Sequence, residues 1–536
     1  MNLRFFGGAN EVGASSTLIE IDGYRILVDA GIRMGPGQDP LPHFPDFDTV
    51  GMPNAVLLTH AHTDHTGALP RLRNLWLAGV KIYQTPATKA ITRVLLEDSA
   101  KRMQREEQEE SKQPLYTLDD VDVFLHCLGE EVRWLEPVPI CEGVTATWIP
   151  AGHILGAAMI YIKSKSESIL MTGDVSVSKQ LTIPSVDVPK WCKPDVMVIE
   201  STYGNRRHKV SRTEEAKRLV NDVANTIKEG GMVLLPAFAV GRSQEVILIL
   251  KQAMERKEIP EFPVYVDGMV RDINGIYSQF ADELQRPLRG KGKQGESLFY
   301  SDMIKKVPRG TKPESVLAEG PCCVVASSGM LVGGKSAAYA KYLVRDPRNL
   351  IAITGYQAEG TPGRALEDIK GSENRVWFLD DERFDVKCRV ERYSLSAHAD
   401  SKELLELVKK VQPRKLFLVH GDAEARGELF KSVCKACPAV DVKLPENGEV
   451  HRMEKRKGIA GGRKLSSDRI LREVAAFVQK MGLTGPFRVR ELAEMWFGTE
   501  GITPLAVKFF EWCLSLERWF FERDRSDNLF RLKQPI

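Results

Sequence analysis

Long hydrophobic runs are missing from this sequence. No stretch of about 18 apolar residues could span a bilayer, and Met1 leads into a strand-like Leu3-Arg4-Phe5-Phe6 without a basic-then-apolar leader, so neither a membrane protein nor an exported one is expected. A disulfide framework is missing too. Nine cysteines, at 127, 141, 192, 322, 323, 388, 434, 437 and 513, are scattered as reduced thiols are, which points to the cytoplasm. Cys434 and Cys437 make a single C-x-x-C, and with no second pair to complete four ligands a helix face accounts for it better than a metal or redox site. The glycine-rich Gly7 to Gly13 loop is too irregular for a dinucleotide or P-loop fingerprint and reads as hairpin geometry. Charge of one sign is scarce overall, with a net +3. Residues 451 to 536, however, hold 17 Lys and Arg against 11 Asp and Glu, leaving −3 on the rest. A basic tail favours polyanions, although surface solvation produces such imbalances as well.

What is present centres on Ala55-Val-Leu-Leu-Thr-His60-Ala-His62-Thr-Asp64-His65-Thr-Gly67. A short apolar strand runs directly into three imidazoles and a carboxylate within six positions. Neutral imidazole and carboxylate are the usual ligands of zinc and similar ions, and a set that mixes them without cysteine suits an open hydrolytic site better than a closed structural one. The plainer alternative is a surface histidine cluster. Asp29 closes an earlier strand near this stretch, where its expected job is a hydrogen bond to the far nitrogen of a ligating imidazole.

The 536 residues, 43% hydrophobic, suffice for two or three domains. Along the chain the same pattern recurs, a strand with a chemically active residue at its carboxyl end: His153 after Pro150, Asp174 after Gly173, Glu200, His398 in Ser-Ala-His-Ala-Asp400, and His420 in Val-His-Gly-Asp422. Sites in layered α/β folds lie at strand ends, so these pieces are expected in one cleft. Helical segments at 86–112, 211–229, 243–256, 336–344 and 401–411 alternate with the strands, which predicts α/β layers. Between about 205 and 380 the strands end in other chemistry: Gly241-Arg242, Ser327-Ser328-Gly329, and Gly355 through Thr361 and Arg364. That change predicts a second domain inserted into the first, facing the metals with phosphate-binding loops, to which Ser327, Ser328, Gly329, Thr361 and Arg364 are assigned. The expected division is 1–204, 205–380, 381–455 and 456–536. In the last unit, Ile470 to Met481, Val489 to Phe497 and Pro504 to Leu516 read as three helices, and Arg518 to Leu532 as a hairpin around Asp527-Asn528, which together suit a winged helix. Such units bind nucleic acid and equally serve as dimerisation or docking modules, so RNA, a homodimer and a partner protein all stay open for it.

Six of the ten histidines occupy strand-end positions, and with Asp64 and Asp174 they exceed what one tetrahedral zinc needs. Two metals are the economical inference: His60, His62 and His153 hold one, Asp64, His65 and His420 the other, and Asp174 bridges. Zinc is expected; manganese is compatible with the same ligands. A metal pair roughly 3.5 to 4 Å apart supports in-line displacement at phosphorus. Glu200 and His398 are then left to supply the general acid that an alkoxide leaving group requires, and with Asp64 they make the catalytic set. The alternative for His398 is packing, with Asp400 or Ser401 merely capping a helix.

The stretch His60 to His65, with His153, Asp174 and the Asp29-Ala-Gly31 turn, resembles the metallo-β-lactamase fold. Glu200-Ser-Thr-Tyr, Ser-Ala-His398, Val-His420-Gly-Asp and Gly355-Tyr-Gln-Ala-Glu-Gly-Thr-Pro-Gly-Arg364 resemble the additional motifs of the β-CASP nucleases, over about residues 1 to 450. The likeness is to bacterial and archaeal relatives of the cleavage subunit of the pre-mRNA 3′-end processing factor. It implies an αββα core with residues 205–380 as the inserted β-CASP cap, and a zinc-dependent ribonuclease leaving 5′-phosphate and 3′-hydroxyl ends. Endonucleolytic and 5′-exonucleolytic modes are both compatible. RNA-directed members carry histidine where the DNA-repair branch has valine, and here that residue is His420. Because Met1 begins the catalytic fold, the amino-terminal KH domains of some relatives are not expected. The rival readings are a DNA nuclease of the same fold, a small-molecule metallohydrolase, and a non-enzymatic scaffold. The long insertion argues against the small-molecule enzyme, and the complete ligand set argues against the scaffold.

Overall fold

The computed structural model describes residues 1–33, 39–45, 47–207, 210–372, 375–453, 467–483, 485–499, 502–516, 520–523 and 529–533. Two seven-stranded sheets form its centre. The first runs Val450–Arg452, Asn2–Gly7, Ser16–Ile21, Tyr24–Val28, Ala55–Leu57, Lys81–Gln84, Glu130–Glu131. The second runs Asp441–Lys443, Lys415–Val419, Val196–Glu200, Ser168–Met171, Ala158–Lys163, Val144–Pro150, Val138–Cys141.

Side-chain alternation explains why these strands read as unbroken apolar runs. Successive residues point to opposite faces, and here both faces are covered. Ile26, Val28, Ala55 and Leu57 of the first sheet meet Ile169, Met171, Val196 and Val198 of the second in one inter-sheet core. Their neighbours Leu27, Val56 and Leu58 face outward against the helix residues Leu96, Val121 and Phe124. Leu170, Met197 and Ile199 face outward on the other side, in the cluster that holds Leu404, Val408 and Leu429. Helix, sheet, sheet and helix therefore stack in four layers, the αββα arrangement expected from the sequence.

The inserted unit has its own six-stranded parallel sheet, Ile304–Lys306, Val264–Asp267, Cys323–Ala326, Val233–Pro236, Leu350–Ile353, Arg389–Arg392. Its last strand lies beyond residue 380, where the sequence suggested the insertion would end. Arg389–Arg392 is an edge strand of Arg-Val-Glu-Arg, paired on one side only, and carries too little apolar character to be read as part of a parallel sheet.

After residue 453 the described chain gives helices Ser467–Lys480, Val489–Phe497 and Pro504–Leu516, and a small antiparallel sheet of Phe487–Arg488, Leu529–Leu532 and Phe521–Arg523. The connecting residues 458 to 464 and the predicted Asp527-Asn528 turn lie outside the described residues. This unit is fastened to the core by charge. Glu494, buried, accepts from Arg414 Nη1 at 2.7 Å, and Arg490 reaches Asp195 at 3.4 Å. Asp195 and Arg414 immediately precede the strands Val196–Glu200 and Lys415–Val419, so the unit sits at the amino ends of those strands. Among the described residues, no helix is long and apolar enough to cross a membrane.

Candidate metal centre

The histidines and aspartates singled out by the sequence come together at the opposite, carboxyl ends of the strands. His60, His62, His153 and Asp174 bring one ligand atom each within 4.8 Å of one another, and Asp64, His65, Asp174 and His420 do the same. Asp174 belongs to both groups. Its Oδ2 lies 3.6 Å from His60 Nε2 and 3.6 Å from His153 Nε2. Its Oδ1 lies 3.4 Å from His65 Nε2 and 3.5 Å from His420 Nδ1. His420 Nε2 is 3.4 Å from Asp64 Oδ2.

Local backbone geometry makes this convergence. Asp29 and His420 sit at φ 59 and 51, so each strand turns sharply where it delivers its side chain. Gly31 is required for space: a Cβ there would stand 1.6 Å from the Asp64 carbonyl oxygen. Hydrogen bonds then choose which imidazole nitrogen faces inward. Asp29 Oδ2 binds His65 Nδ1 at 2.7 Å and accepts from Thr59 Oγ1 at 2.6 Å, while its Oδ1 accepts from Thr59 N, leaving His65 Nε2 directed at Asp174. His153 Nδ1 lies 3.0 Å from the Ala397 carbonyl, leaving Nε2 for the cluster. Asp29 thus stands behind His65.

The donor chemistry fits divalent ions. His62 Nδ1 lies 3.2 Å from His60 Nε2 and 3.1 Å from His153 Nε2, three nitrogens converging on one point, and Asp174 Oδ1 is buried with no hydrogen-bond partner among the described residues, the state of an atom kept for a ligand. Burial, then the neighbouring His65, holds His60 well below the usual histidine range, and burial followed by His398 does so for His153, so both are neutral and able to coordinate. Burial alone would lower His65 and His420 as well, but Asp174 heads the carboxylates that raise them.

Glu200 and His398 complete a third group with Asp174. His398 Nδ1 is 2.9 and 3.1 Å from the two Glu200 oxygens, and Glu200 Oε1 also accepts from Val175 N at 2.7 Å. His398 Nε2 is left 3.9 Å from Asp174 Oδ2, on the cleft side. Burial pulls this imidazole down, but Glu200 and then Asp174 outweigh it and hold the pKa at about 9.

The cleft lies between the two-sheet core and the insertion. Its lining includes Gly13, Phe238, Arg242, Met330 and Tyr356 beside the clustered residues. Ser327, Ser328, Gly329, Thr361 and Arg364, assigned to phosphate from sequence, are not among the lining residues. Thr361 caps the helix Pro362–Asp368, Arg364 pairs with Asp368 at 2.9 Å, and Ser328 Oγ accepts from Val332 N. Arg242 and Tyr356 were passed over as site residues, though Gly241-Arg242 and Gly355-Tyr356 both follow strands and carried that signal.

Comparison with known proteins agrees with this architecture. The metallo-beta-lactamase superfamily domain matches residues 18–195, the Beta-Casp domain 243–366, and the Zn-dependent metallo-hydrolase RNA specificity domain 383–432. The chain is 34% identical over 475 residues to the transcription termination factor FttA of Pyrococcus horikoshii, covering 83% of this chain and 70% of that one. It is 31% identical over 428 residues to an RNase J-like protein of Methanocaldococcus jannaschii, covering 78% and 92%, and 31% identical over 453 residues to Integrator complex subunit 11 of Danio rerio, covering 83% and 72%. A crystal structure of an Enterococcus faecalis V583 protein of unknown function shares the fold, with a TM-score of 0.50 at 13% identity over 84% of this chain and 99% of that one. With two sheets enclosing a histidine and aspartate cluster, a parallel α/β insertion across its mouth and relatives matched over most of their length, the chain belongs to the β-CASP family of metallo-β-lactamase-fold metallohydrolases.

Proposed function

We propose that this protein is a metal-dependent ribonuclease that hydrolyses RNA phosphodiester bonds and leaves 5′-phosphate and 3′-hydroxyl ends. The observation that carries this reading is the His398–Glu200 pair standing against two clusters that share Asp174, at the floor of one cleft. His60, His62, His153 and Asp174 would hold one ion, and Asp64, His65, Asp174 and His420 a second; zinc is the expected metal and manganese suits the same donors. When bound, such a pair supplies Lewis acidity, which lowers the pKa of water and offsets charge gathering on a phosphate.

The chain's own side chains do the rest. As water adds to phosphorus and the P–O3′ bond breaks, the leaving 3′ oxygen must take up a proton. His398 Nε2 faces the cleft and carries that proton, while Glu200, bound at Nδ1, fixes the tautomer and favours the protonated ring. Asp64, beside His420, borders the same cleft and completes the catalytic set. RNA is favoured as substrate by the match of residues 383–432, which include His398 and His420, to a domain described by RNA specificity, and by the RNase J-like relative.

The test uses His398→Ala with RNA whose scissile 3′ oxygen is replaced by sulfur. The variant keeps its metal and loses about 10² to 10⁴ in turnover on ordinary RNA. Thiolate departs without protonation, so the deficit shrinks sharply on the sulfur substrate, measured with a metal that tolerates sulfur. An undiminished deficit would overturn the general-acid role. Equal cleavage of DNA of the same sequence would overturn the RNA assignment.

A further inference from the structure

The apolar strand Val233–Pro236 leaves the cap sheet through Ala237-Phe-Ala-Val and turns at Gly241 into the helix Arg242–Glu255. Gly241 has φ 83, and a Cβ there would meet Ile154 Cγ2 at 2.7 Å, so the turn holds the start of the helix tightly against the metal-bearing core. Arg242 is the first residue of that 14-residue helix and lines the cleft together with Asp64, Tyr356 and His398. Only 5% of it is exposed, and its Nη1 is buried with no hydrogen-bond partner among the described residues.

A guanidinium nitrogen in that condition is costly, because it has lost water and gained no acceptor. The nearby carboxylate is already in use. Glu245 accepts from Leu181 N, Thr182 N, Thr182 Oγ1 and Arg212 Nη2. Burial first, and then the charge of Arg212, push the Arg242 guanidinium down to about 9, which leaves it cationic at neutral pH. Arg242 is also the one lysine or arginine among the described residues lining the cleft, and its immediate wall is apolar, with Phe238, Val240 and Met330.

We infer that Arg242 is a phosphate anchor of the substrate cleft, a fork of donors whose buried Nη1 has no acceptor among the described residues, held to receive the non-bridging oxygens of an RNA phosphodiester laid across the metal centre. The inference rests on the ribonuclease reading above. The charge that is missing in the free protein is brought by the substrate, and the amino end of helix Arg242–Glu255 adds its partial positive charge toward the same place. The planar fork fixes two oxygens at once, so the anchor sets the phosphate's position as well as its affinity.

The sign of a stability change tests this against a packing role. Arg242→Met removes the charge and keeps the length. In the metal-loaded, RNA-free protein it should melt at the same temperature as the parent or higher, because an unpaired buried cation has been removed. Binding is read in a His398→Ala background with a fluorescent oligoribonucleotide. Affinity should fall roughly 10- to 100-fold, the range for a charge-assisted hydrogen bond, and the slope of log K against log salt should flatten by about 0.7, one single-strand phosphate contact. One uncharged methylphosphonate linkage, walked along the oligonucleotide, should cost affinity at a position where the Met variant shows no such cost. Arg242→Lys, which keeps the charge without the fork, should retain the salt slope and part of the affinity, and it carries the linkage walk if the Met variant does not fold. Unchanged affinity and slope in the Met variant, with the His398 deficit intact, would sink the anchor and spare the nuclease. A Met variant that folds but melts well below the parent would show that the arginine is a packing group. A parent that neither binds nor cleaves RNA would overturn both readings.

Discussion

One wall of the cleft is crowded with ionisable side chains and the other is almost bare of them. On the core side, seven imidazole and carboxylate groups form two tight clusters that share Asp174, with His65 and His153 tied from behind by Asp29 and the Ala397 carbonyl. On the cap side the wall is apolar apart from Arg242 and Tyr356, and the Arg242 Nη1 has no such tie among the described residues. The contrast teaches that the two walls solve different problems. The core wall must hold charge that is always there when metal is bound; the cap wall meets charge that arrives and leaves with substrate.

The core wall is most vulnerable at Asp174, which both clusters share. Asp174→Ala should lose metal from both groups and reduce cleavage to background, as measured by metal analysis and turnover on the same preparation. Retention of a full complement of metal would mean that the two groups do not depend on their common member.

Next in size is the brace that joins the walls. Arg212 pairs with buried Glu245 of the cap helix at 3.1 Å and donates to the carbonyls of Leu395 and Ser396, close to His398. Arg212→Leu leaves that carboxylate buried and unpaired, at a cost of about 3–5 kcal/mol in unfolding free energy at neutral pH. The pH dependence has a definite sign. Burial raises the Glu245 pKa, but Arg212 and the Thr182 hydrogen bonds outweigh it and depress the folded value. In the parent, that stabilisation is present above the unfolded glutamate pKa and fades as pH falls through the lower folded value. Without Arg212 the folded pKa rises, so the variant's deficit should be larger at pH 8 than at pH 4 in paired denaturation curves. A deficit independent of pH would assign the effect to lost packing instead.

The residues of the core wall were legible in sequence because each follows a strand buried on both faces. Val56-Leu57-Leu58 before His60 and Val196 to Ile199 before Glu200 are apolar runs that end on a chemical residue. The cap wall was legible only in outline. Thr361 and Arg364 have the composition of a phosphate loop, yet in three dimensions one caps a helix and the other pairs with Asp368. Arg242 carries the opposite lesson, since what sets it apart is a buried Nη1 with no hydrogen-bond partner among the described residues. Arg389–Arg392 was missed for a third reason: an edge strand with charged residues at three of four positions shows no apolar period.

A smaller effect sharpens the account of the core wall. Among the described residues Asp29 touches the centre through His65 and Thr59, so Asp29→Ala should weaken metal affinity by about 10- to 100-fold without abolishing cleavage at saturating metal. A competition titration against a chelator measures it. If metal affinity is unchanged, the tautomer of His65 is set by something other than Asp29.

The smallest effect is expected from the carboxyl-terminal unit, which belongs to neither wall. Its clamp through Arg414, Glu494, Arg490 and Asp195 lies at the strand ends away from the metal centre. Removing residues 456–536 should leave metal content and turnover on a short RNA unchanged, while long-RNA affinity at varied salt, or mass in solution, reports what the unit binds. A fall in short-RNA turnover would tie it to the cleft.

The pairing of Asn2 with Arg452 in the first sheet bears on how the chain is made. The edge of that sheet joins residues about 450 positions apart, and the metal centre draws His60 and His420 from two different sheets. Contacts of such long range form slowly, because chain entropy is lost before the contacts repay it. At a synthesis rate of roughly 5–20 residues per second, about 20 to 90 s pass between the emergence of the first strand and that of its partner. During that interval the parallel sheet of the insertion, Val233–Pro236 to Arg389–Arg392, is complete in local sequence and able to fold, while the strands before it wait with open edges. The metal centre therefore cannot be completed until His420 has emerged, after the whole of the insertion, although its first ligands at His60 to His65 are among the earliest residues made.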